Sequence, residues 1–205
     1  MTRAAAGDLR ERVAVLELTS TADKSAYTWS EVRRIWADAV LDTRSNLFSS
    51  VGIGARGVTF TVRASSLLSL ANAFLWRGHH CFLTSIIPLE GQRGYMEVKA
   101  ALCEPVTLTA KPQARTGRDA LNRPTAVEIP FFTFPGVLTE KYRANEAEDV
   151  YRVTTLRRVL VTPKAIQLRP SDLVEAAGET PYIIRQALDL DPWKNEYEIE
   201  RMGDV

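Results

Sequence analysis

The chain has 205 residues, 45% hydrophobic and 25% charged, which is enough apolar content to build a core and excludes a chain disordered throughout. Lys plus Arg number 26 and Asp plus Glu 25, a net charge of +1, and this excludes the strongly basic surface that grips nucleic acid by neutralising phosphates. The two cysteines, Cys81 and Cys103, cannot make a disulfide framework and fit a reducing compartment or one incidental bridge.

The opening residues Met1–Asp8 meet charges before any apolar run develops, and no stretch reaches the roughly 18 apolar residues of a membrane span. The expectation is a soluble chain with no export signal and no membrane partner. Short alternating runs rich in β-branched and aromatic residues then read as strands. In the first half they lie near Arg12–Leu18, Val32–Leu41, Val58–Arg63, Phe74–Trp76, Cys81–Ile87 and Tyr95–Leu102, joined by the polar or glycine-rich links Thr19–Thr28, Ser49–Gly57 and Glu90–Gly94. In the second half they lie near Val106–Ala110, Val127–Phe132, Val137–Glu140, Tyr151–Val161, Leu173–Glu175, Tyr182–Leu188 and Glu196–Arg201, with Gln113–Arg123 as a loop. Helix is a minor component, with Arg44–Ser50 and Arg143–Asp149 as its candidates. Eight of the ten prolines follow residue 105, and Pro130, Pro135 and Pro163 are expected to interrupt strands or push them to edges and bulges.

The two halves repeat one order. Val58 matches Val159 at an offset of 101, Gly78 matches Gly178 at 100, Phe82 matches Tyr182 at 100 and Tyr95 matches Tyr197 at 102. Upstream, Val40–Arg44 matches Val137–Lys141 at 97, and Val13–Leu16 matches Val106–Thr109. Self-similarity of this kind indicates a tandem duplication with its boundary near Glu104-Pro105. The fold class expected is therefore mostly β, with two similar small antiparallel barrels or sandwiches over 1–105 and 106–205.

Chemistry-bearing residues are sparse. Gly78-His79-His80-Cys81 holds both histidines, but a zinc site needs three or four ligands from separated pairs, and Cys103 has no companion. A polar turn is the plainer reading. Adjacent strand residues point to opposite faces, which argues against a cysteine–histidine nucleophile and makes Cys81 a small core residue. Ser49–Gly57 lacks the Lys-Ser/Thr ending of a phosphate-binding loop and is followed by a strand rather than a helix. Arg115, Arg118 and Arg123 sit in a polar loop that could touch a phosphate, though a solvated face is the simpler reading. Trp29, Trp36, Trp76 and Trp193 read as core or inter-subunit anchors, and Glu196 with Glu198 as a strand-face pair with no sign of burial. No catalytic, cofactor-binding or metal site is expected.

The order of motifs resembles the head-closure, or stopper, proteins at the head–tail junction of tailed bacteriophages. It rests on Gly7-Asp8-Leu9-Arg10-Glu11-Arg12-Val13, then Thr28-Trp29-Ser30-Glu31-Val32 with Ile35-Trp36-Ala37, the strand Val58–Arg63, and Leu75-Trp76-Arg77-Gly78 leading to Phe82. The second half keeps Asp172-Leu173-Val174, Gly178 and Tyr182 but carries Phe131-Phe132-Thr133-Phe134-Pro135 in place of the tryptophan segment. The resemblance implies a non-enzymatic virion protein made in the host cytoplasm, a β-barrel ring that closes the DNA channel after packaging. Its partners would be further copies of itself, a portal or adaptor ring above, a tail terminator or tail tube below, and double-stranded DNA passing through without sequence-specific binding. Six copies are favoured over twelve, because two barrels per chain reconcile a twelvefold portal with a sixfold tail. The links Thr19–Thr28, Ser49–Gly57 and Gln113–Arg123 would order against neighbours. A tail-terminator or tail-completion ring is the alternative, and a β-barrel enzyme using His79, His80 and Cys81 is a third reading from another class.

Overall fold

A computed structural model describes residues 6–46, 56–92, 94–118, 121, 123–144, 154–189 and 191–202. After a single 3-10 turn at Ala6–Asp8 these residues form strands throughout: β1 (Glu11–Ser20), β2 (Tyr27–Asn46), β3 (Arg56–Arg63), β4 (Ala73–Trp76), β5 (His79–Pro88), β6 (Tyr95–Cys103), β7 (Val106–Lys111), β8 (Arg115–Arg118), β9 (Pro124–Val127), β10 (Phe132–Ala144), β11 (Thr154–Pro163), β12 (Leu173–Ala176), β13 (Tyr182–Leu188) and β14 (Lys194–Arg201). No helix among the described residues is long and apolar enough to cross a membrane.

Twelve of these strands close into two antiparallel barrels, one in the order β1-β2-β3-β6-β5-β4 and the other in the order β7-β10-β11-β14-β13-β12. The two orders are the same circuit, which is the mostly-β tandem architecture that alternation and turn spacing imply. The chain divides into two compact units, Met1–Thr19 with Trp29–Pro105, and Ser20–Thr28 with Val106–Val205. The tip of the first hairpin thus belongs to the second unit.

Strand pairing fixes which residues stand at equivalent places. Arg77 and Gly78, at φ 50° and 84°, form the two-residue turn between β4 and β5, and Gly178 (φ 79°) lies in the longer connection, Ala177–Pro181, between β12 and β13. Phe74 lies opposite Cys81 before the first turn, and Val174 opposite Tyr182 before the second. Further along, the register slips between Leu83 and Ser85 in β5 and between Ile184 and Gln186 in β13, so both barrels carry a bulge at one place. Past the bulge, Val98 pairs with Phe60 in the first barrel and Tyr197 with Leu160 in the second. The sequence-based matches are corrected accordingly. Phe60 corresponds to Leu160, so the first-strand offset is one residue shorter than Val58 to Val159 implies; Tyr182 corresponds to Cys81 rather than Phe82, and Tyr197 to Val98 rather than Tyr95. Similarity of residue type misled those three matches, because the second barrel holds its aromatic residues at different positions.

The interiors follow the alternation. Val13, Val15, Ala37, Val58, Phe60, Val62, Phe74, Trp76, Leu83, Val98 and Ala100 fill the first barrel, with Phe60 edge-to-face against Phe74 (5.3 Å) and Trp76 (5.7 Å). In the second barrel Leu108, Phe134, Leu160, Ile184 and Val174 are buried. Gly136, in the place of Ala37, leaves no room for a side chain, since a Cβ there would meet Leu160 Cδ1 at 2.7 Å and Leu108 Cδ1 at 2.8 Å. Each barrel is entered through an Asn or Asp that ties the preceding turn. Asn72 Oδ1 accepts from Ser69 N–H (2.9 Å), and Asp172 Oδ2 accepts from Arg169 N–H (2.8 Å) while its Oδ1 accepts from Gln113 N–H (3.0 Å).

Several expected elements are redrawn. The helix candidates lose their described parts to strands, Arg44–Asn46 to β2 and Arg143–Ala144 to β10, and the rest of Arg44–Ser50 and Arg143–Asp149 lies outside the described residues, as does most of Ser49–Gly57. The strand expected at Val127–Phe132 is instead the end of β9, a break over 128–131 and the start of β10. The loop expected at Gln113–Arg123 contains β8. Pro135 does not interrupt β10: it sits where that strand pairs with β7 alone, so its missing N–H removes no ladder bond.

Candidate functional site

Closed barrels have no edges, so backbone left open to a partner is informative. In the second barrel β10 pairs with β7 over Phe132–Gly136 but with β11 only from Val137 onward. Its opposite edge before Val137 is taken by residues of the first hairpin's tip, within the same compact unit. Thr133 N–H donates to the Ser25 carbonyl at 2.9 Å, Ala26 forms a parallel bridge with Thr133, and the Tyr27 ring meets Phe132 edge-on at 6.0 Å. The tip is built for this. Asp23 accepts from the Thr21 hydroxyl (2.6 Å), the Ser25 hydroxyl (2.8 Å) and the Ser25 N–H (3.1 Å). Those bonds, the Thr21 hydroxyl foremost, hold its carboxyl down to about 2.

The first barrel has the same edge. β2 pairs with β3 only from Ala37 onward, so Val32–Trp36 have no strand on that side among the described residues. The outward residues of β2 are apolar at every fourth position, with Val32 46%, Trp36 54% and Val40 60% exposed. Arg12 places its guanidinium 5.5 Å from the Trp36 ring centre. Beside the open edge, Leu9, Ile35, Trp36, Arg63, Ala64 and Ser65 line a recess of about 470 Å³. Exposed apolar surface next to unpaired backbone marks a site of association.

The second barrel's long hairpin is interrupted. β8 pairs only with β9, and Arg115 opposite Val127 keeps the register in which Leu108 stands opposite Phe134. The β8–β9 ribbon is therefore the outer part of the β7–β10 hairpin. In that register Pro112 faces Pro130, and two residues without N–H groups cannot carry a ladder bond between them. The ribbon exposes Leu121 and Val127, with Phe131 exposed at its base.

The histidine–cysteine cluster is spread over two faces of β5. His79 is exposed and lines a second recess of about 420 Å³ with Leu41, Trp76, Arg77, Leu102, Cys103 and Glu104. There Glu11 accepts from Trp76 Nε1 (3.2 Å) and Arg77 Nε (3.2 Å), and Arg77 lies 4.8 Å from the Trp76 ring centre. Hydrogen bonding to Arg77 holds the Glu11 carboxyl below its usual range. Cys81 points into the barrel. Burial pushes its thiol, and that of Cys103, up to about 12, so both remain protonated at neutral pH. His80 is buried against Trp29 (5.2 Å) and Phe82 (5.9 Å), and burial lowers its pKa to about 4. Its Nε2 has no hydrogen-bond partner among the described residues, nor has Trp29 Nε1.

Trp76 is core, Trp36 lies on the surface, and Trp193 is partly exposed. Glu198, read with no sign of burial, is only 6% exposed, which corrects that reading. Sequence reasoning passed over the open edges of β2 and β10, because alternation reports which face a residue takes and is silent on whether a neighbouring strand is present. The facing pair Pro112 and Pro130 was the legible signal. No family model matches this chain, and no curated protein matches it.

Proposed function

We propose that the protein is a structural component of the neck of a tailed-bacteriophage virion, a ring between portal and tail that closes the DNA channel and receives the tail. The observation that carries the reading is the tandem of two barrels on one circuit, each with a hairpin and beside it a strand edge that no barrel strand covers, the edge of β10 taken by residues 20–28 and that of β2 without a strand among the described residues. A chain that offers both a projecting strand and a receiving edge associates head to tail, and such contacts close into rings when the rotation permits. The motif order supports the neck in particular. Near balance of 26 positive and 25 negative residues suits a channel through which DNA passes without being held. Two barrels per chain suit six copies, presenting twelve related domains to one neighbour and a sixfold repeat to the other.

The test is loss of the chain during infection. Heads that package DNA and then leak it, alongside detached tails of normal length, are the expected products. Tails of irregular length with heads stably filled would move the protein to the tail-terminator position, and wild-type virions would overturn the reading.

A further inference from the structure

The two equivalent edges differ in one respect: among the described residues that of β10 is occupied and that of β2 is open. The occupant of the β10 edge is the tip of the β1–β2 hairpin, residues 20–28, and the part of the second barrel equivalent to that tip is the β8–β9 ribbon. The pairings already given set Ala39 against Leu138 and hence Arg34 against Thr133 on the receiving strands. Counting back along the same strands sets Thr125 against Ala26 on the projecting ones. The ribbon pairs with no other strand among the described residues, and a two-stranded ribbon alone is marginal in water.

We infer that the β8–β9 ribbon of one copy adds to the open edge of β2 in a second copy of this chain, with Thr125 meeting Arg34 as Ala26 meets Thr133. The occupied edge is the warrant for the occupant: the same circuit, the same unpaired stretch and the equivalent hairpin recur, and only the receiving chain changes. Strand addition supplies backbone hydrogen bonds, while Val127 and Leu121 on the ribbon and Val32 and Trp36 on the receiving strand supply apolar surface at one contact. The facing prolines give the ribbon a joint at its base, so it can be aimed independently of the barrel that carries it. The β1–β2 hairpin has no such break. This inference names the self-contact of the ring proposed above and rests on that reading.

The experiment uses the full chain with Thr125→Cys and Arg34→Cys together, oxidised and run without reductant. Residues bridging neighbouring strands lie within disulfide reach, and the native thiols of Cys81 and Cys103 are protonated and slow to react. The expected result is conversion of most of the monomer into a covalent ladder extending beyond dimer, with each single variant stopping at monomer and dimer. Absence of the ladder in a sample that sediments as a ring overturns the ribbon contact and leaves the neck reading standing. Consumption of both new thiols at monomer mass overturns it as well, by placing the ribbon on its own chain. A ladder of open chains with no closed species keeps the contact and contradicts the ring. A sample that stays monomeric and unlinked contradicts both.

Discussion

Two interior aromatic positions exchange strands between the barrels: they lie on β3 and β4 in the first and on the strands paired with the equivalents of β3 and β4 in the second. Phe74 facing Cys81 becomes Val174 facing Tyr182, and Phe60 facing Val98 becomes Leu160 facing Tyr197. In each pair one large and one smaller side chain lie side by side on the inner face of neighbouring strands. Core volume is thus held by the facing pair rather than by the position, as expected when packing tolerates exchange at constant volume. The exchange has a polar consequence. A phenol brings a hydroxyl inside, and the Tyr197 hydroxyl donates to the Ile166 carbonyl (2.8 Å) and accepts from Leu168 N–H (3.0 Å), fastening a loop that phenylalanine could not fasten. Tyr182 OH accepts from Arg158 (3.1 Å).

The largest effect that would sharpen this comparison is in the first barrel. Phe60→Ala removes the ring at the centre of its aromatic cluster and is expected to cost about 3–5 kcal/mol in denaturant unfolding. Transplanting the second barrel's pair tests the exchange itself. Phe74→Val and Cys81→Tyr together should be less destabilising than the sum of the two single changes by about 1 kcal/mol or more. Strict additivity would show that the paired volumes do not compensate.

Acid should separate the barrels next. His80 is neutral in the fold with its pKa lowered to about 4, while the unfolded chain takes up a proton near 6.5. Between those values the unfolded state binds more protons, so stability falls as the pH drops from about 6.5 to 4, by up to about 3 kcal/mol. The second barrel has Pro181 at the corresponding place and lacks this sensitivity. His80→Phe should flatten the acid limb of the first barrel's stability profile, and an unchanged profile would assign the loss to other groups.

Smaller effects belong to the second barrel. Tyr197→Phe strands the Leu168 N–H and should cost about 1–3 kcal/mol. Gly136→Ala should cost about 1–3 kcal/mol by overpacking against Leu108 and Leu160. The reverse change in the first barrel, Ala37→Gly, should cost roughly 1 kcal/mol through lost contact and added backbone freedom. Equal tolerance of alanine at both places would mean that the two interiors are not shaped as described.

Fold class was legible because period-two alternation survives in nearly every strand, and the repeat was legible because Gly78 and Gly178 each supply a positive φ in the connection between equivalent strands. Register was less so. Tyr182 looks like a counterpart of Phe82 by residue type, yet the longer connection before it places it at the position of Cys81. Long β2 and β10 were read short, without Tyr27–Glu31 and Phe132–Gly136, because the first adjoins the polar link Thr19–Thr28 and the second holds Pro135 and Gly136. The candidate association surface was hidden because an open edge depends on where a neighbouring strand stops.

The proposed ring of six chains, twelve barrels on one circuit, is decided by the rotational symmetry of the particle in an electron cryomicroscopy map of the assembled neck. Six chains, showing twelve similar barrels that alternate between two kinds around the axis, is the result expected. Twelve whole chains at full occupancy, or a particle with no closed ring, would contradict it.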